Sequence, residues 1–143
     1  MAILLDTSFL IAFDNEKDVH HIKARELWIK IKEKQFGIYF ISDYIFDEVI
    51  SVTMRKKDET RAKIFGKHIK ESLDILNIDS YLFEEAWNLF EKREKLSEED
   101  KILNFTDCTN VVLLEFLASN KIATFDRGFE KIDGLEIFGS EKN

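Results

Sequence analysis

Four acidic residues of this 143-residue chain stand beside or inside apolar segments. Asp6 follows the apolar run 3–5 and Asp126 follows the run 122–125. Glu48 and Asp107 lie inside stretches whose apolar residues recur with helical spacing. Because two apolar runs end in a carboxylate, the sequence predicts a site at the carboxyl edge of a parallel sheet. Carboxylates gathered there would repel one another, and a hard divalent cation with oxygen ligands would neutralise them.

Each of these acids also has an ordinary structural explanation. Asp6 and Asp126 could be turn residues. Glu48 could be a solvated helix position, and Asp107 could be a first-turn residue favoured by the helix dipole. However, Glu48 has apolar neighbours on both sides, and Asp107 shares a helix face with residues 111, 114 and 118. An unpaired charge near the core is costly, so a metal ion shared by all four acids is the economical solution.

The elements that must position these acids follow from the periodicity of apolar residues. Strands are predicted at residues 2–5, 38–41, 76–78, 122–125 and 135–138, and helices at about 7–13, 18–36, 43–55, 58–73, 81–95 and 106–119, with a polar loop at 96–104. The predicted N-caps are Thr7 or Ser8, Asp18, Ser42 or Asp43, Asp58 and Thr106. Strands that alternate with helices predict a three-layer α/β/α sandwich around a parallel sheet of four to five strands, as one domain over residues 1–143.

Composition narrows the class of protein. The chain has a net charge of −7, which argues against non-specific nucleic-acid binding by the whole surface but leaves room for a local basic strip. Cys108 is the single cysteine, which excludes an internal disulfide and a multi-cysteine zinc site. No apolar run approaches the roughly 20 residues that cross a bilayer, and the N-terminus lacks the basic region of a signal peptide. We therefore expect a cytoplasmic protein without a membrane segment.

Four motifs in order resemble the PIN domain family, and particularly its VapC-type toxin ribonucleases. The segments are LLDTSFLIAF, ISDYIFDEVI, LNFTDCTNVVLLEF and ATFDRGFEKI, and together they cover essentially the whole chain. Each motif is degenerate alone, but four with family-like spacing are specific. One departure is Cys108, where the family commonly has a small residue; we interpret the thiol as a packing group.

The resemblance implies a metal-dependent endoribonuclease. It places Asp6, Glu48, Asp107 and Asp126 in a catalytic cluster that binds Mg²⁺ or Mn²⁺. It gives Thr106 a supporting role, and Thr7 or Ser8 could act similarly. Homodimers are common in the family, and a small antitoxin holds the toxin subgroup inactive, so both partners are expected by resemblance.

An acidic site that cleaves RNA needs cations at its rim, because the substrate is a polyanion. The candidates are Arg55, Lys56 and Lys57 at the end of the glutamate helix, and Arg127 directly after Asp126. A solvated helix surface would also explain the lysines, and Arg127 could equally form an ion pair inside the site.

Several alternatives remain open at this stage. The chain could be an RNA-processing nuclease outside a toxin–antitoxin pair, or a catalytically inactive PIN module that serves binding or assembly. A HAD-type phosphatase would need a second acid where Ser8 stands. A receiver domain would need a lysine at the end of a late strand, where this chain has Asp126.

Overall fold

The computed structural model describes residues 1–93 and 103–140. Within these ranges the chain forms a parallel sheet of five strands: β1 (Ala2–Leu5), β2 (Ile38–Ser42), β3 (Asp74–Leu76), β4 (Lys121–Thr124) and β5 (Glu136–Gly139). The helices of the same ranges are α1 (Thr7–Asp14), α2 (His21–Lys32), α3 (Asp43–Lys56), α4 (Glu59–Ser72), α5 (Ser80–Lys92) and α6 (Phe105–Phe116), with a 3₁₀ turn at Arg127–Lys131. The predicted α/β class is confirmed.

The strand order is β3-β2-β1-β4-β5, with every neighbouring pair parallel. The chain moves outward from β1 to β2 and β3, and then crosses to β4 on the other side of β1. Right-handed crossovers therefore place α1 to α4 on one face of the sheet and α5 and α6 on the other. The order reverses between β1 and β4, and the crevice outside the carboxyl ends of strands at such a point is where α/β folds bind ligands.

The sheet forms the core of the fold, as the burial of its strands β1 and β4 shows. Ile3, Leu4 and Leu5 of β1 are all fully buried, as are Ile122 and Ala123 of β4. Strands covered by helices on both faces read as continuous apolar runs rather than alternating ones. This is the pattern that predicted β1 and β4, and it leaves Asp6 as the first polar residue at the edge of the buried strand.

Helix starts near the site agree only partly with the prediction. Ser42 caps α3 by accepting a hydrogen bond from the backbone N–H of Ile45, and Asp58 caps α4 in the same way. The predicted caps Thr7 or Ser8, Asp18 and Thr106 are wrong. Thr7 is the first residue of α1, and Asp6 occupies the N-cap position. Asp18 accepts from the N–H of His20 in the turn before α2, so that helix begins three residues later than Asp18. Thr106 lies in the first turn of α6, because Asn104 caps the helix.

Strand boundaries differ by one or two residues. The third strand was predicted at 76–78, but β3 pairs with β2 through Asp74, Ile75 and Leu76. Ile78 is buried by core packing after the chain has left the sheet, and its N–H donates to Asp43. The predicted helix end at residue 95 and most of the predicted loop at 96–104 lie outside the described residues. No helix in the described ranges is long and apolar enough to cross a membrane.

Candidate active site

Asp6 is the centre of a hydrogen-bond network at the carboxyl edge of the sheet. It follows β1 directly and is only 3% exposed. Its Oδ2 accepts hydrogen bonds from Thr124 Oγ1 at 2.7 Å and from Ser8 Oγ at 3.2 Å. Its Oδ1 accepts from Asn110 Nδ2 at 3.3 Å. Three different elements therefore hold one carboxylate in place, because Ser8 lies on α1, Asn110 on α6 and Thr124 on β4.

Two residues of this network, Asn110 and Thr124, were not predicted from the sequence. Both are completely buried polar residues. A usable signal existed for each, because Asn110 is one helical turn after Asp107 and Thr124 lies two positions before Asp126, on the same side of an extended chain. Thr124 Oγ1 also accepts from the N–H of Asp126 at 2.9 Å, so it links the two strand-end acids.

Asp107 lies in the first turn of α6 and is 6% exposed. Its Oδ2 accepts from the N–H of Asn104 at 2.9 Å, while the Asn104 side chain accepts from the N–H of Asp107, which completes a capping box. The predicted apolar face continues through the buried Val111 and Leu114. It does not reach Ala118, which is exposed beyond the end of the helix.

Burial and mutual repulsion raise the pKa values of the two most buried acids. Burial, opposed in part by the hydrogen bond from Thr124, raises the pKa of Asp6 to about 6. Burial and the charge of Asp6 raise the pKa of Asp107 to about 8. The charges of Asp126 and Glu48 add to both shifts, so both acids lie within electrostatic range of Asp6 and of Asp107.

Glu48 is half-buried on α3 and lines a pocket of about 480 Å³. Residues of one α3 face line this pocket at helical spacing, namely Tyr44, Glu48, Ser51 and Arg55, together with Thr106 from α6 and with Asp43 and Asp47. The carboxylate of Asp43 is already engaged, since its Oδ1 accepts from the N–H groups of Tyr44 and Ile78 at 3.0 Å each. Asp47 is exposed.

Asp126 is half-buried and begins the 3₁₀ turn, where its Oδ1 accepts from the N–H of Gly128 at 2.9 Å. Arg127 points to solvent with 70% of its side chain exposed. Its Nε lies 3.6 Å from Glu130 Oε1, in the same turn. One of the two expectations for Arg127 was an ion pair inside the site, but its described partner is Glu130 of the same turn, which is not one of the four acids.

The remaining predicted residues occupy two distinct places. Thr7 is buried beside Asp6 and its hydroxyl has no hydrogen-bond partner. Arg55, Lys56 and Lys57 are all exposed at the C-terminal end of α3, but only Arg55 lines the pocket that contains Glu48. Cys108 is fully buried, in agreement with a packing role.

The ion pairs described in residues 1–93 and 103–140 do not include the four acids. They join Arg61 to Asp14, Lys63 to Glu59, Lys121 to Glu136 and Arg127 to Glu130. Across the same ranges, no three His, Cys, Asp or Glu side chains converge closely enough to enclose a metal ion by themselves. The arrangement is therefore an open group of carboxylates rather than a closed cage.

Comparison with known proteins identifies the architecture. A family model described as "PIN domain" matches residues 3–135. The chain belongs to the PIN domain family. A curated relative, the VapC ribonuclease of Archaeoglobus fulgidus, is 27% identical over 129 residues, which is 90% of this chain and 80% of the relative.

Solved PIN structures share the fold at lower identity. The structure of VapC20 of Mycobacterium tuberculosis, described as a sarcin–ricin loop cleaving toxin, superposes with a TM-score of 0.77 at 20% identity, over 92% of this chain and 95% of that one. A chain of the VapBC-1 structure from nontypeable Haemophilus influenzae gives a TM-score of 0.65 at 15% identity, over 99% and 100% of the two chains. The PIN-like sandwich predicted from the motifs is confirmed.

Proposed function

We propose that this chain is a metal-dependent endoribonuclease that hydrolyses RNA phosphodiester bonds, and that it is the toxin of a toxin–antitoxin pair. The observation that carries the proposal is the group of four acids after β1 and β4 and on α3 and α6, where burial and the neighbouring acids raise the pKa values of Asp6 and Asp107. The PIN family membership and the VapC ribonuclease relative support it. On this proposal the whole chain acts as one PIN domain in the cytoplasm.

The residues present fit Mg²⁺ or Mn²⁺. Hard cations take oxygen ligands, and Mg²⁺ keeps several waters and binds proteins through one or two carboxylates rather than a complete cage. An open group of acids suits that requirement. Two buried polar atoms beside Asp6 also lack a partner, Thr7 Oγ1 and Asn110 Oδ1. Asp6 and Asp107 are the proposed direct ligands, with Glu48 and Asp126 as ligands or water-positioning acids.

When bound, the cation would lower the pKa of a water molecule and stabilise the charge that develops on the phosphate and the leaving oxygen. The protein's own part is to hold carboxylates at fixed positions. Ser8, Asn110 and Thr124 fix the Asp6 side chain by hydrogen bonds. The backbone N–H of Asn104 fixes Asp107, so the capping box of α6 also orients a proposed ligand.

The protonation state of Asp107 is also expected to make cation binding by the site depend on pH. With a pKa of about 8 it is largely protonated at neutral pH in the absence of metal. A ligand carboxylate must be ionised, so cation binding is expected to release a proton and to strengthen as pH rises toward 8.

Substrate binding is assigned to the basic end of α3. Arg55 lines the Glu48 pocket, and Lys56 and Lys57 follow it at the exposed helix end. These cations would contact the phosphates of RNA that enters the acidic site. Arg127 is also proposed to contact RNA, because its guanidinium is largely exposed despite the 3.6 Å contact with Glu130.

An antitoxin and a second copy of the chain are the proposed protein partners. Several structural relatives are VapBC toxin–antitoxin structures, which supports the antitoxin. An exposed aromatic surface on α5 and α6, formed by Tyr81, Phe83, Trp87 and Phe116, supports a homodimer.

The test is cleavage of structured and single-stranded RNAs by purified protein with Mg²⁺, Mn²⁺ or EDTA, beside the Asp6→Asn variant. Metal-dependent cleavage that disappears in the variant supports the nuclease proposal. Failure of the wild-type protein to cleave any RNA with either metal would favour the inactive binding module. Growth arrest on expression, relieved by the product of a neighbouring gene, would distinguish a toxin from an RNA-processing nuclease.

A further inference from the structure

Asn110 is a buried polar residue that core packing does not explain. It lies in the middle of α6 and is 0% exposed, between the buried residues Thr109 and Val111. Asparagine is a poor helix former and a poor core residue, because its amide must find partners away from water. Its presence therefore calls for a specific contact.

That contact is with the candidate active site. Asn110 Nδ2 donates to Asp6 Oδ1 at 3.3 Å across 104 residues of sequence. The opposite oxygen of Asp6 is held by Thr124 and Ser8, so Asn110 is the donor on the Oδ1 side among the described hydrogen bonds. It fixes which way the carboxylate faces.

The second half of the Asn110 amide has no partner. Its Oδ1 is buried and accepts no hydrogen bond. The hydroxyl of Thr7, the residue after Asp6, is also buried and unpaired. Buried polar groups are nearly always satisfied by protein or by ordered water. The unpaired Oδ1 of the amide that contacts Asp6 and the unpaired hydroxyl of the next residue, Thr7, therefore indicate a polar ligand near this carboxylate.

We propose that Asn110 is a positioning residue of the metal site: it holds the Asp6 carboxylate through Nδ2 and offers Oδ1 to the hydration water of a divalent cation. The inference rests on the proposed function. Outer partners of metal ligands orient the ligand, and their loss typically weakens metal affinity or activity by about 10–100-fold. Asn110 is not a ligand of the cation in this proposal.

The same helix offers a matched control. Thr109 is also 0% exposed and polar, but its Oγ1 donates to the carbonyl oxygen of Thr106 at 2.6 Å within α6 and does not contact Asp6. Thr109→Val removes a buried hydrogen bond of the same helix while leaving the Asp6 network intact.

The experiment measures Mn²⁺ binding without RNA, by electron paramagnetic resonance of free Mn²⁺, in the wild type and in Asn110→Leu, Thr109→Val and Asp6→Asn. Asn110→Leu keeps the branched shape and removes both polar atoms, and Asn110→Ser introduces a hydroxyl that can donate and accept. We expect Asn110→Leu to weaken Mn²⁺ binding by about 10–100-fold, Asn110→Ser to lose less, and Thr109→Val to bind like the wild type. In RNA cleavage at fixed Mn²⁺, Asn110→Leu should lower kcat and leave KM for RNA unchanged.

Folding of each variant is checked by circular dichroism, and if Asn110→Leu is unfolded then Asn110→Ser decides. Wild-type Mn²⁺ affinity in a folded Asn110→Leu protein would overturn the inference, as would an equal loss in Thr109→Val. These outcomes differ from failure of the proposed function itself. In that case the wild type would not bind Mn²⁺, or Asp6→Asn would bind it equally well, and the role of Asn110 would fall with the site.

Discussion

Helix α1 has a buried acid at each end, and the fold treats them in opposite ways. Asp14, its last residue, has a side chain only 8% exposed and forms a two-pronged ion pair with Arg61 of α4, whose Nε and Nη2 contact both carboxylate oxygens. The contact with Asp14 raises the pKa of Arg61. Asp6, which precedes the helix, receives hydrogen bonds from neutral groups and has no described cation beside it.

This difference shows what the acidic edge of the sheet lacks. The fold is able to supply an arginine to a buried carboxylate, and it does so at Asp14, where a structural pair suffices. At Asp6 it instead brings further acids, which raise the pKa of the group rather than lower it. An arrangement that costs stability in the free protein is typical of a functional site.

The largest expected effect is on RNA cleavage, which should depend on Asp6 but not on Asp14 at the other end of α1. Asp6→Asn and Asp107→Asn should each reduce cleavage by more than about 100-fold, since even outer partners of metal ligands cost 10–100-fold. Neither should lower the stability of the metal-free protein at pH 8, because each removes a repelling charge. Asp14→Asn is the matched control and should keep full cleavage per folded molecule. Full activity in both Asp6→Asn and Asp107→Asn would show that these acids are not needed for cleavage.

The next effect is the pH dependence of stability in EDTA. A carboxylate whose pKa is higher in the folded than in the unfolded chain binds protons more tightly when folded, so stability falls as pH rises from the unfolded value toward the folded value. For Asp6 this window runs from 3.8 to about 6, and for Asp107 from 3.8 to about 8. Denaturant unfolding should therefore show a protein more stable at pH 5.5 than at pH 8, on the order of 3 kcal/mol.

Asp107→Asn should flatten most of this pH dependence, and saturating Mg²⁺ should reduce it in the wild type, because the cation favours the ionised acids. A stability that rises between pH 5.5 and pH 8 in EDTA would contradict the raised pKa values.

A smaller effect is expected at the C-terminal end of α1, where Asp14 pairs with Arg61. Arg61→Met leaves Asp14 buried without its cation. The loss should be about 1–2 kcal/mol of unfolding free energy, less than for a fully buried pair because 41% of the Arg61 side chain is exposed. Urea unfolding measures the change, and cleavage per folded molecule should be unaffected. A loss of cleavage with unchanged stability would connect Arg61 to the active site.

The smallest effect concerns the basic end of α3. Arg55→Ala should raise KM for RNA only a few-fold and make cleavage less sensitive to salt, since one phosphate contact is lost. Arg25→Ala is a suitable control, because Arg25 is an exposed arginine of α2 that contacts Phe13 of α1. Equal salt dependence in wild type and Arg55→Ala would remove Arg55 from the substrate path.

The sequence predicted the elements that local patterns specify. The continuous apolar runs of β1 and β4 and the cap residues Ser42 and Asp58 could be read because their signals lie within a few residues. Thr106 was wrong as a cap because Asn104 and Asp107 form a capping box that the apolar pattern does not reveal. Ile78 was assigned to a strand because burial alone does not distinguish sheet pairing from core packing.

The site was predictable as a set of acids and not as a network. Glu48 and Asp107 were predicted as site residues because charged residues are unusual in apolar segments. A site at the carboxyl edge of the predicted parallel sheet then placed them near Asp6. Asn110 and Thr124 were missed because neutral polar residues inside helices and strands are common, and their meaning depends on a partner at the other end of the chain.

The long sequence separation of Asp6 from Asn110 and Thr124 affects when their contacts can form during synthesis. Asp6 is synthesised before its partners Asn110 and Thr124, from which it is separated by 104 and 118 residues. A ribosome releases the chain from its N-terminus onward, and contacts this distant form late in folding. The nascent chain therefore carries the Asp6 carboxylate without these two donors until residues 110 and 124 have been translated, and the candidate site is incomplete over that interval.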